Sequence, residues 1–337
     1  MQDLVQLAAD RVQLFLSPSG QSHAILPSGA ATPIFSEDFF TWLVALCGSQ
    51  QINVPFGVPL ANLLRKLDAD AHGSNRILPT PLRTSQPDPQ TLIIDLQDNF
   101  DAVELTRKGW RLTANFDAPF LRPTQNIPLP PPEPPDEDLT TYLTKLFEIE
   151  AGPARQLSDW LAHAFMPDAQ PPILVITGEA RDEAASKLRM LLDPVPQPLF
   201  PFPATTSQLG QLALTNRVLA FAAYNKLTET RKAGLNRLRK GMPVRLKETN
   251  QRRPQIFTSI ARPIIIAAES ADQISSHQLT VEINRANQGD HPKLLGALLN
   301  VVAEAFERQN QLLIETNRQS ALPQSQEIAP QSDPPVP

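Results

Sequence analysis

The amino-acid sequence predicts an α/β fold, in which a parallel-sheet domain is preceded by a small α+β domain and followed by a disordered, proline-rich C-terminal tail. Apolar runs at residues 173–176, 217–223 and 263–268 are typical of buried parallel strands, and helical patterns lie between them. Shorter strand and helix patterns alternate before residue 128, which favours a separate α+β unit. Clusters of proline mark the boundaries between these units.

The chain has 35 prolines in 337 residues, roughly twice the usual share of about 5%. They cluster at residues 86–90, 128–136 and 322–337, where the missing backbone donors favour extended, solvated chain. The tail is either an unstructured end or a proline-rich ligand for a groove on a partner. The clusters divide the chain into an N-terminal α+β domain (1–127), a Pro-rich linker (128–137), a parallel-sheet domain (138–318) and a disordered tail (319–337).

The N-terminal domain has strand and helix patterns but no group of catalytic side chains. His23 and His72 stand alone, which is typical of surface or hydrogen-bonded histidines rather than metal ligands. Trp110 follows a Lys108-Gly109 turn, where it either packs in the core or stacks on a nucleic-acid base. The expected elements are a β-hairpin at 12–16 and 23–26, helices at 37–46 and 58–67, the first of them capped by Ser36, and strands at 91–96, 102–105 and 109–112.

Composition and charge exclude several classes of site. A net charge of −5 and a pI near 5.6 give no overall preference for nucleic acid, although they leave room for a local basic patch. The single cysteine, Cys47, excludes an intramolecular disulfide and a cysteine-built zinc site, and its apolar neighbours predict a core residue. No apolar stretch approaches the roughly 20 residues of a membrane span, so we expect a cytoplasmic protein without a membrane partner.

The most informative segment, residues 173–194, has the frame of a phosphate-binding loop: a strand at 173–176, a turn at Thr177-Gly178 and a helix at 179–192. A working loop needs glycines whose N–H groups converge on the phosphates, a lysine for the outer phosphates, and a serine or threonine for magnesium. This chain has Glu179-Ala180-Arg181-Asp182-Glu183 instead. The degenerate loop at Gly178, Glu179, Arg181 and Asp182 therefore predicts no bound ATP or Mg²⁺.

The ends of the next two apolar strands also lack reactive side chains. In an ATPase, such a strand ends in an acid that orders the magnesium ion, but residues 217–223 end in Ala222-Ala223. The strand at 263–268, where a polar residue would sense the γ-phosphate, ends in Ala267-Ala268. The three substitutions together predict an abandoned nucleotide site with no catalytic residue, no cofactor and no metal.

Seven segments carry a resemblance to a known family. They are LRPTQNIPLPPPEP (121–134), ILVITG (173–178), KLRMLLDP (187–194), NRVLAF (216–221), RLRKG (237–241), ARPIII (261–266) and HPKLLGALLNVVAEAF (291–306). In this order and at these spacings, the chain resembles the P-loop ATPases of bacterial phages and plasmids, which are often described as primase-linked or replicative-helicase-like.

The resemblance implies a P-loop NTPase-like fold for residues 138–318, but not the family's catalytic residues. The family's first strand leads into G-x-x-G-x-G-K-S/T, its second ends in F-D-N and its third ends in Asn. Here Ala222 stands in place of the acid and Ala267 in place of the Asn, and the loop is about three residues shorter. The only lysine nearby, Lys187, lies two turns into the helix and is expected to point away from a phosphate.

A basic segment lies between the second and third strands, where only Glu248 among residues 231–253 is acidic. A helix at 230–240 and a loop at 241–254 would present a cationic ridge suited to phosphate contacts with DNA or RNA. The same charges would also suit a solvated face or an acidic partner subunit. The basic residues are Arg231, Lys232, Arg237, Arg239, Lys240, Arg245, Lys247, Arg252 and Arg253.

These observations lead to a main hypothesis and two alternatives. The main hypothesis is a catalytically inactive ATPase-fold protein that binds nucleic acid or acts as a scaffold in mobile-element DNA replication, with an intact ATPase or primase as a possible partner. One alternative is a structural subunit of a mixed ATPase ring, because the resemblance implies homo- or hetero-oligomers. The other is a divergent but active DNA-dependent ATPase or helicase-like enzyme that uses Arg181 or Lys187. The closing helix at 291–306 packs either in its own core or on a neighbour.

Overall fold

The computed structural model describes residues 2–97, 102–114, 116, 118–123, 127–167, 169–223, 227–241, 243–246, 255–258, 262–270, 275 and 277–320, with backbone alone for 2–3, 243–246, 255–258 and 313–320. The helices are α1 (Gln2–Arg11), α2 (Glu37–Ser49), α3 (Val58–Gly73), α4 (Leu139–Phe147), α5 (Ala151–Phe165), α6 (Arg181–Leu192), α7 (Thr206–Thr215), α8 (Glu229–Arg239) and α9 (His291–Ser320). The strands are β1 (Gln13–Leu16), β2 (Ser22–Ile25), β3 (Ala31–Pro33), β4 (Thr84–Asp88), β5 (Thr91–Asp95), β6 (Ala102–Thr106), β7 (Gly109–Thr113), β8 (Ile173–Thr177), β9 (Phe200–Pro201), β10 (Leu219–Ala223), β11 (Pro243–Leu246), β12 (Gln255–Thr258), β13 (Ile264–Ala268) and β14 (Gln278–Glu282).

A five-stranded parallel sheet forms the centre of the C-terminal part, in the order β14-β8-β13-β10-β9. The prediction of buried parallel strands is confirmed for β8, β10 and β13, whose apolar side chains are covered on both faces. Alternate residues of each strand point to opposite faces. Leu174 and Ile176 of β8 pack against α5, α6 and α9, whereas Ile173 and Val175 lie in the core that α7 and α8 cover.

The first 73 residues fold around a core of their own. Strands β1, β2 and β3 form an antiparallel sheet, and α1, α2 and α3 pack on it. The predicted hairpin is confirmed by the pairing of Phe15 with His23. The predicted cap is also confirmed, because Ser36 Oγ accepts a hydrogen bond from Phe39 N at 3.2 Å. Cys47 is fully buried in this core, and burial raises the pKa of its thiol.

A four-stranded antiparallel meander, β4-β5-β6-β7, connects this unit to the parallel sheet. Residues 86–88 belong to the edge strand β4, where the chain is extended as expected and Pro87 and Asp88 are exposed. The inner faces of β5 and β6 lie in the same apolar core as α5 and α9. Trp110 of β7 is half-buried against the core and donates from Nε1 to Asn300 Oδ1 of α9 at 3.0 Å, which favours the packing role.

The Pro-rich segment 128–137 packs along α9 instead of running through solvent. Leu129 is buried, and its N–H donates to Leu96 O at 2.9 Å. Glu133 N donates to Pro292 O at 3.1 Å, at the start of α9. The backbone of this segment lies so close to the helix that only glycine fits at position 296.

Helix α9 closes the fold and continues to Ser320. The first two residues of the predicted tail, 319 and 320, are therefore helical, and the rest of it, 321–337, lies outside the described residues. The apolar side of α9 packs into its own core through Leu294, Leu298 and Phe306. Within the described part of the chain, no helix combines the length and apolar character that crossing a membrane requires.

Candidate functional site

The three positions that the sequence singled out meet at the carboxyl edge of the parallel sheet. Ala222 of β10 pairs with Ala267 of β13, and Ala267 pairs with Ile176 of β8, one residue before Thr177. Ligands of open α/β sheets bind at this edge, beside the strand where the order reverses. The order reverses at β8, because the later strands β9, β10 and β13 lie on one side of it and the last strand, β14, lies on the other.

Gly178 is the turn residue of this edge, and its surroundings leave no room for a side chain. Its φ angle is +97°, in the region that favours glycine. A Cβ atom at this position would lie 2.4 Å from Ile283 O and 2.6 Å from Asn284 Oδ1. The segment after β14 therefore lies directly against the loop between β8 and α6.

The backbone donors of that loop are engaged by the same segment. Glu179 N donates to Asn284 Oδ1 at 3.1 Å, and Ala180 N donates to Ile283 O at 3.1 Å. Asn284 is held in place by its own hydrogen bond from Nδ2 to Glu282 Oε1 at 3.2 Å. These are the N–H groups that would have to turn toward a phosphate in a working nucleotide site.

Charge at this edge is also unfavourable for an anion. Asp182 and Glu183 occupy the first turn of α6, where they complement the positive end of the helix dipole. Arg181 Nη1 donates back to Gly178 O at 3.1 Å. Lys187 forms an ion pair with Glu183 at 3.0 Å. In the described residues, no group of three or more His, Cys, Asp or Glu side chains is arranged to hold a metal ion.

Helix α8 and its C-cap carry the first five predicted nucleic-acid contacts, and these residues differ in exposure. Arg237 and Lys240 are exposed at its end. Arg231 stacks over the ring of Phe202, with 5.5 Å between Cζ and the ring centroid, and Lys232 pairs with Glu229 at 3.1 Å. Arg239 is buried and donates from Nη1 to Gln170 O at 3.1 Å, so it is not among the cations that α8 presents to solvent.

The predicted loop at 241–254 begins instead with a strand. Strands β11 and β12 pair antiparallel, with Arg245 opposite Ile256, and β11 lies beside α7. Arg245 is described by its backbone alone, and Lys247, Arg252 and Arg253 lie outside the described residues. The basic segment thus consists of a helix followed by a β-hairpin.

The structure contains a buried ionic network that the sequence did not predict. It is centred on Asp193, the residue after α6. Asp193 Oδ1 and Oδ2 pair with Arg83 and Arg189, each at 3.2 Å, and Oδ2 accepts from Arg217 N at 2.7 Å. Burial alone would raise the pKa of Asp193, but Arg189, Arg83 and backbone N–H donors hold it below its ordinary value. The sequence signal was the position of Asp193 four residues after Arg189, at the end of a predicted helix. The network joins the start of β4 to the end of α6.

No protein-family model matches the sequence, and no curated protein matches it. Among solved structures, the A form apo structure of the NrS-1 C-terminal region is 11% identical, with a TM-score of 0.47 over 90% of this chain and 67% of that chain. A second apo structure of that region (305–718) is 10% identical, with a TM-score of 0.45 over 91% and 69% of the two chains. A full-length MCM homolog from Methanopyrus kandleri is 14% identical, with a TM-score of 0.37 over 86% of this chain and 80% of that chain. At these values, each is a distant likeness.

Proposed function

We propose that this chain is a P-loop NTPase-like protein that has lost its nucleotide site and that binds nucleic acid, or acts as a scaffold, in the DNA replication of a phage or plasmid. The observation that carries the proposal is the engagement of the loop amides of Glu179 and Ala180 by Asn284 and Ile283. Those hydrogen bonds take the place that phosphate oxygens would need.

The loss of nucleotide binding follows from several missing contacts that act together. The loop offers neither a lysine for the outer phosphates nor a hydroxyl for magnesium, and β10 and β13 end in alanines. Removing one preorganised electrostatic contact lowers the rate of catalysis by roughly 10²–10³, and the residues of one site act as a unit. With several contacts missing, we expect ATP hydrolysis to fall to background. The carboxylates of Glu179, Asp182 and Glu183 would also repel a triphosphate.

The nucleic-acid role depends on the end of α8 and on the hairpin that follows it. Arg237 and Lys240 are exposed there, and the next strand, β11, carries Arg245. Cations on a helix end and an adjacent hairpin suit phosphate contacts, which are independent of base sequence and weaken as salt rises. An intact ATPase or primase is the partner that a scaffolding role would require.

Binding of labelled ATP to the full chain, with and without Mg²⁺, tests the lost nucleotide site. We expect no saturable binding in either condition. Tight, magnesium-dependent binding would contradict the proposal and would favour the active-ATPase alternative, in which Arg181 or Lys187 serves the phosphates.

Fluorescence anisotropy with labelled single- and double-stranded DNA at several salt concentrations tests the basic segment. We expect the Arg237→Ala/Lys240→Ala variant to bind more weakly and to reduce the salt slope by about one unit for each phosphate contact removed. The Arg107→Ala/Lys108→Ala variant is the matched control, because it removes two exposed cations from the β6–β7 turn. Equal DNA binding by the parent and the α8 variant would remove the support for a nucleic-acid surface there.

A further inference from the structure

A cavity of about 260 Å³ lies where the β1–β2–β3 sheet meets the end of α7 and the start of β13. Its walls come from the N-terminal sheet and the start of α2, from Thr80 and Leu82 before β4, from the segment around Arg122, and from Leu214, Thr215 and Arg262. This cavity is separate from the carboxyl edge of the parallel sheet, because it shares no residue with the loop at Gly178.

Arg262 is the unusual group of this cavity. The side chain lines the cavity, yet the residue is only 7% exposed. The one hydrogen bond that its guanidinium makes to a described residue runs from Nε to Ala213 O at 3.0 Å. No carboxylate of the described residues lies within ion-pair distance of it. The two Nη groups of Arg262 therefore have no hydrogen-bond partner among the described residues, and a ligand in the cavity could bind them.

The electrostatic surroundings of Arg262 also favour an incoming anion. Burial and repulsion from Arg217, partly offset by attraction to Asp193, lower the pKa of Arg262 to about 9, so the group is destabilised but remains a cation at neutral pH. Burying a cation without a paired anion is costly, and an anion in contact with it offsets that cost. The second arginine of the wall, Arg122, is already held by both oxygens of Asp95, at 2.6 and 2.9 Å.

The rest of the wall offers polar groups of the kind that bind hydroxyls. Thr32 and Ser36 share a hydrogen bond of 2.9 Å at one side, and Thr215 lies at the other. His23 is buried, and burial lowers the pKa of its imidazole, so it is neutral at pH 7.

We propose that this cavity binds a small molecule that carries one phosphate or carboxylate group, held by Arg262, and at least one hydroxyl group, held by the hydroxyls of Thr32 and Thr215. The volume is at the lower end of small-molecule sites, which commonly span about 300–1,000 Å³. A ligand of a few carbons fits this space, whereas a nucleoside triphosphate does not. The proposal is independent of whether the chain binds ATP or DNA.

Thermal unfolding of the full chain provides the test, because a ligand that binds the folded state alone raises Tm. The probes are inorganic phosphate, acetate, glycerol 3-phosphate and glycerate, each at constant ionic strength balanced with chloride. We expect a saturable rise in Tm, with half-saturation at least tenfold lower for glycerol 3-phosphate or glycerate than for the matching simple anion. If Tm rises with inorganic phosphate and glycerol 3-phosphate, the anionic group is a phosphate. If Tm rises with acetate and glycerate, it is a carboxylate.

The Arg262→Gln variant is expected to lose the saturable response, while Arg237→Gln, which removes an exposed arginine of α8, retains it. If Arg262→Gln does not fold, Thr215→Trp gives the second test, because Thr215 is exposed and a large ring there fills the cavity. The proposal is overturned if none of the probes gives a saturable shift. It is also overturned if Arg262→Gln, or Thr215→Trp where the former is unfolded, responds as the parent does.

Discussion

At the scale of single residues, Gly178 decides how close two distant segments can come. Its positive φ angle turns the chain out of β8, and its missing side chain lets Ile283 and Asn284 lie against the loop. The shortest contact is with a backbone atom, Ile283 O, so the movement of a side chain cannot relieve the clash that an added Cβ atom would make. Both the conformation and the space at this position require glycine.

We expect Gly178→Ala to reduce the free energy of unfolding by about 1–3 kcal/mol, because the added Cβ meets Ile283 O and the φ angle is strained. Chemical denaturation of the full chain measures this change. Gly152→Ala is the control, because a Cβ at that helical position meets nothing within 4 Å and alanine favours a helix. Equal stability of Gly178→Ala and the parent would show that the loop and the β14 segment are not in tight contact.

At the scale of elements, α9 is the surface on which the remaining parts are assembled. Its apolar side packs on α4 and α5, β7 attaches through Trp110, and the Pro-rich segment lies along its first turns. Gly296 marks the closest approach, because a Cβ there would lie 1.9 Å from Glu133 O. The segment 128–137 is therefore a packed component of the fold.

We expect Gly296→Ala to destabilise the protein by about 1–3 kcal/mol, since the alanine methyl group would push the Pro-rich segment off α9. In an open helix the same substitution stabilises, by up to about 1 kcal/mol. Gly48→Ala in α2 provides that comparison, because nothing lies within 4 Å of its Cβ position. Thermal or urea unfolding distinguishes the two variants, and a stabilising Gly296→Ala would contradict the packing.

Apolar pattern and capping chemistry were sufficient to predict some elements and insufficient for others. β8, β10 and β13 are continuous apolar runs, and Ser36 has the residue type of a helix cap. β14 was missed because it is an edge strand with one fully buried side chain, Val281. β4 was missed because Pro87 reads as a break, although proline is tolerated on an edge strand.

The candidate site also has features that the sequence predicts and features that only the folded structure shows. The absence of a lysine and of strand-end acids is visible in residues 173–268, because it concerns residue types. The hydrogen bonds that Asn284 and Ile283 accept from the loop are not visible there, because they join positions about a hundred residues apart and depend on the folded geometry. The burial of Arg239 is equally hidden, since a basic residue at the end of a basic helix ordinarily predicts exposure.

At the scale of the whole molecule, the inner faces of β5 and β6 share one apolar core with α5, α9 and the parallel sheet, whereas α1–α3 and β1–β3 have a separate core. The Arg83–Asp193 ion pair also links the meander to the parallel-sheet part, because Arg83 precedes β4 and Asp193 follows α6. Cooperative units of a protein follow its packed cores more closely than its sequence order. The fold thus divides after α3 more clearly than at the Pro-rich segment.

Hydrogen exchange on the full chain tests this division. We expect the amides of β5, β6, β8 and α9 to open with one common free energy, because they share a core, and those of β2 and α2 to open with a different one. Mass spectrometry of peptic fragments at increasing denaturant resolves the two groups. If β5 and β6 opened together with β2 and separately from α9, the shared core would not be a cooperative unit.

The hydrogen bonds from Glu179 and Ala180 to the segment after β14 also limit what a substitution in the loop can achieve. Introducing a lysine and a serine into the loop would supply the side chains of a phosphate site but not its amides, which stay bound to Asn284 and Ile283. Removing the Asn284 amide alone would leave the Ile283 carbonyl in place. Loop amides free to bind a phosphate would therefore need changes in two segments at once, and a single substitution in the loop does not supply them.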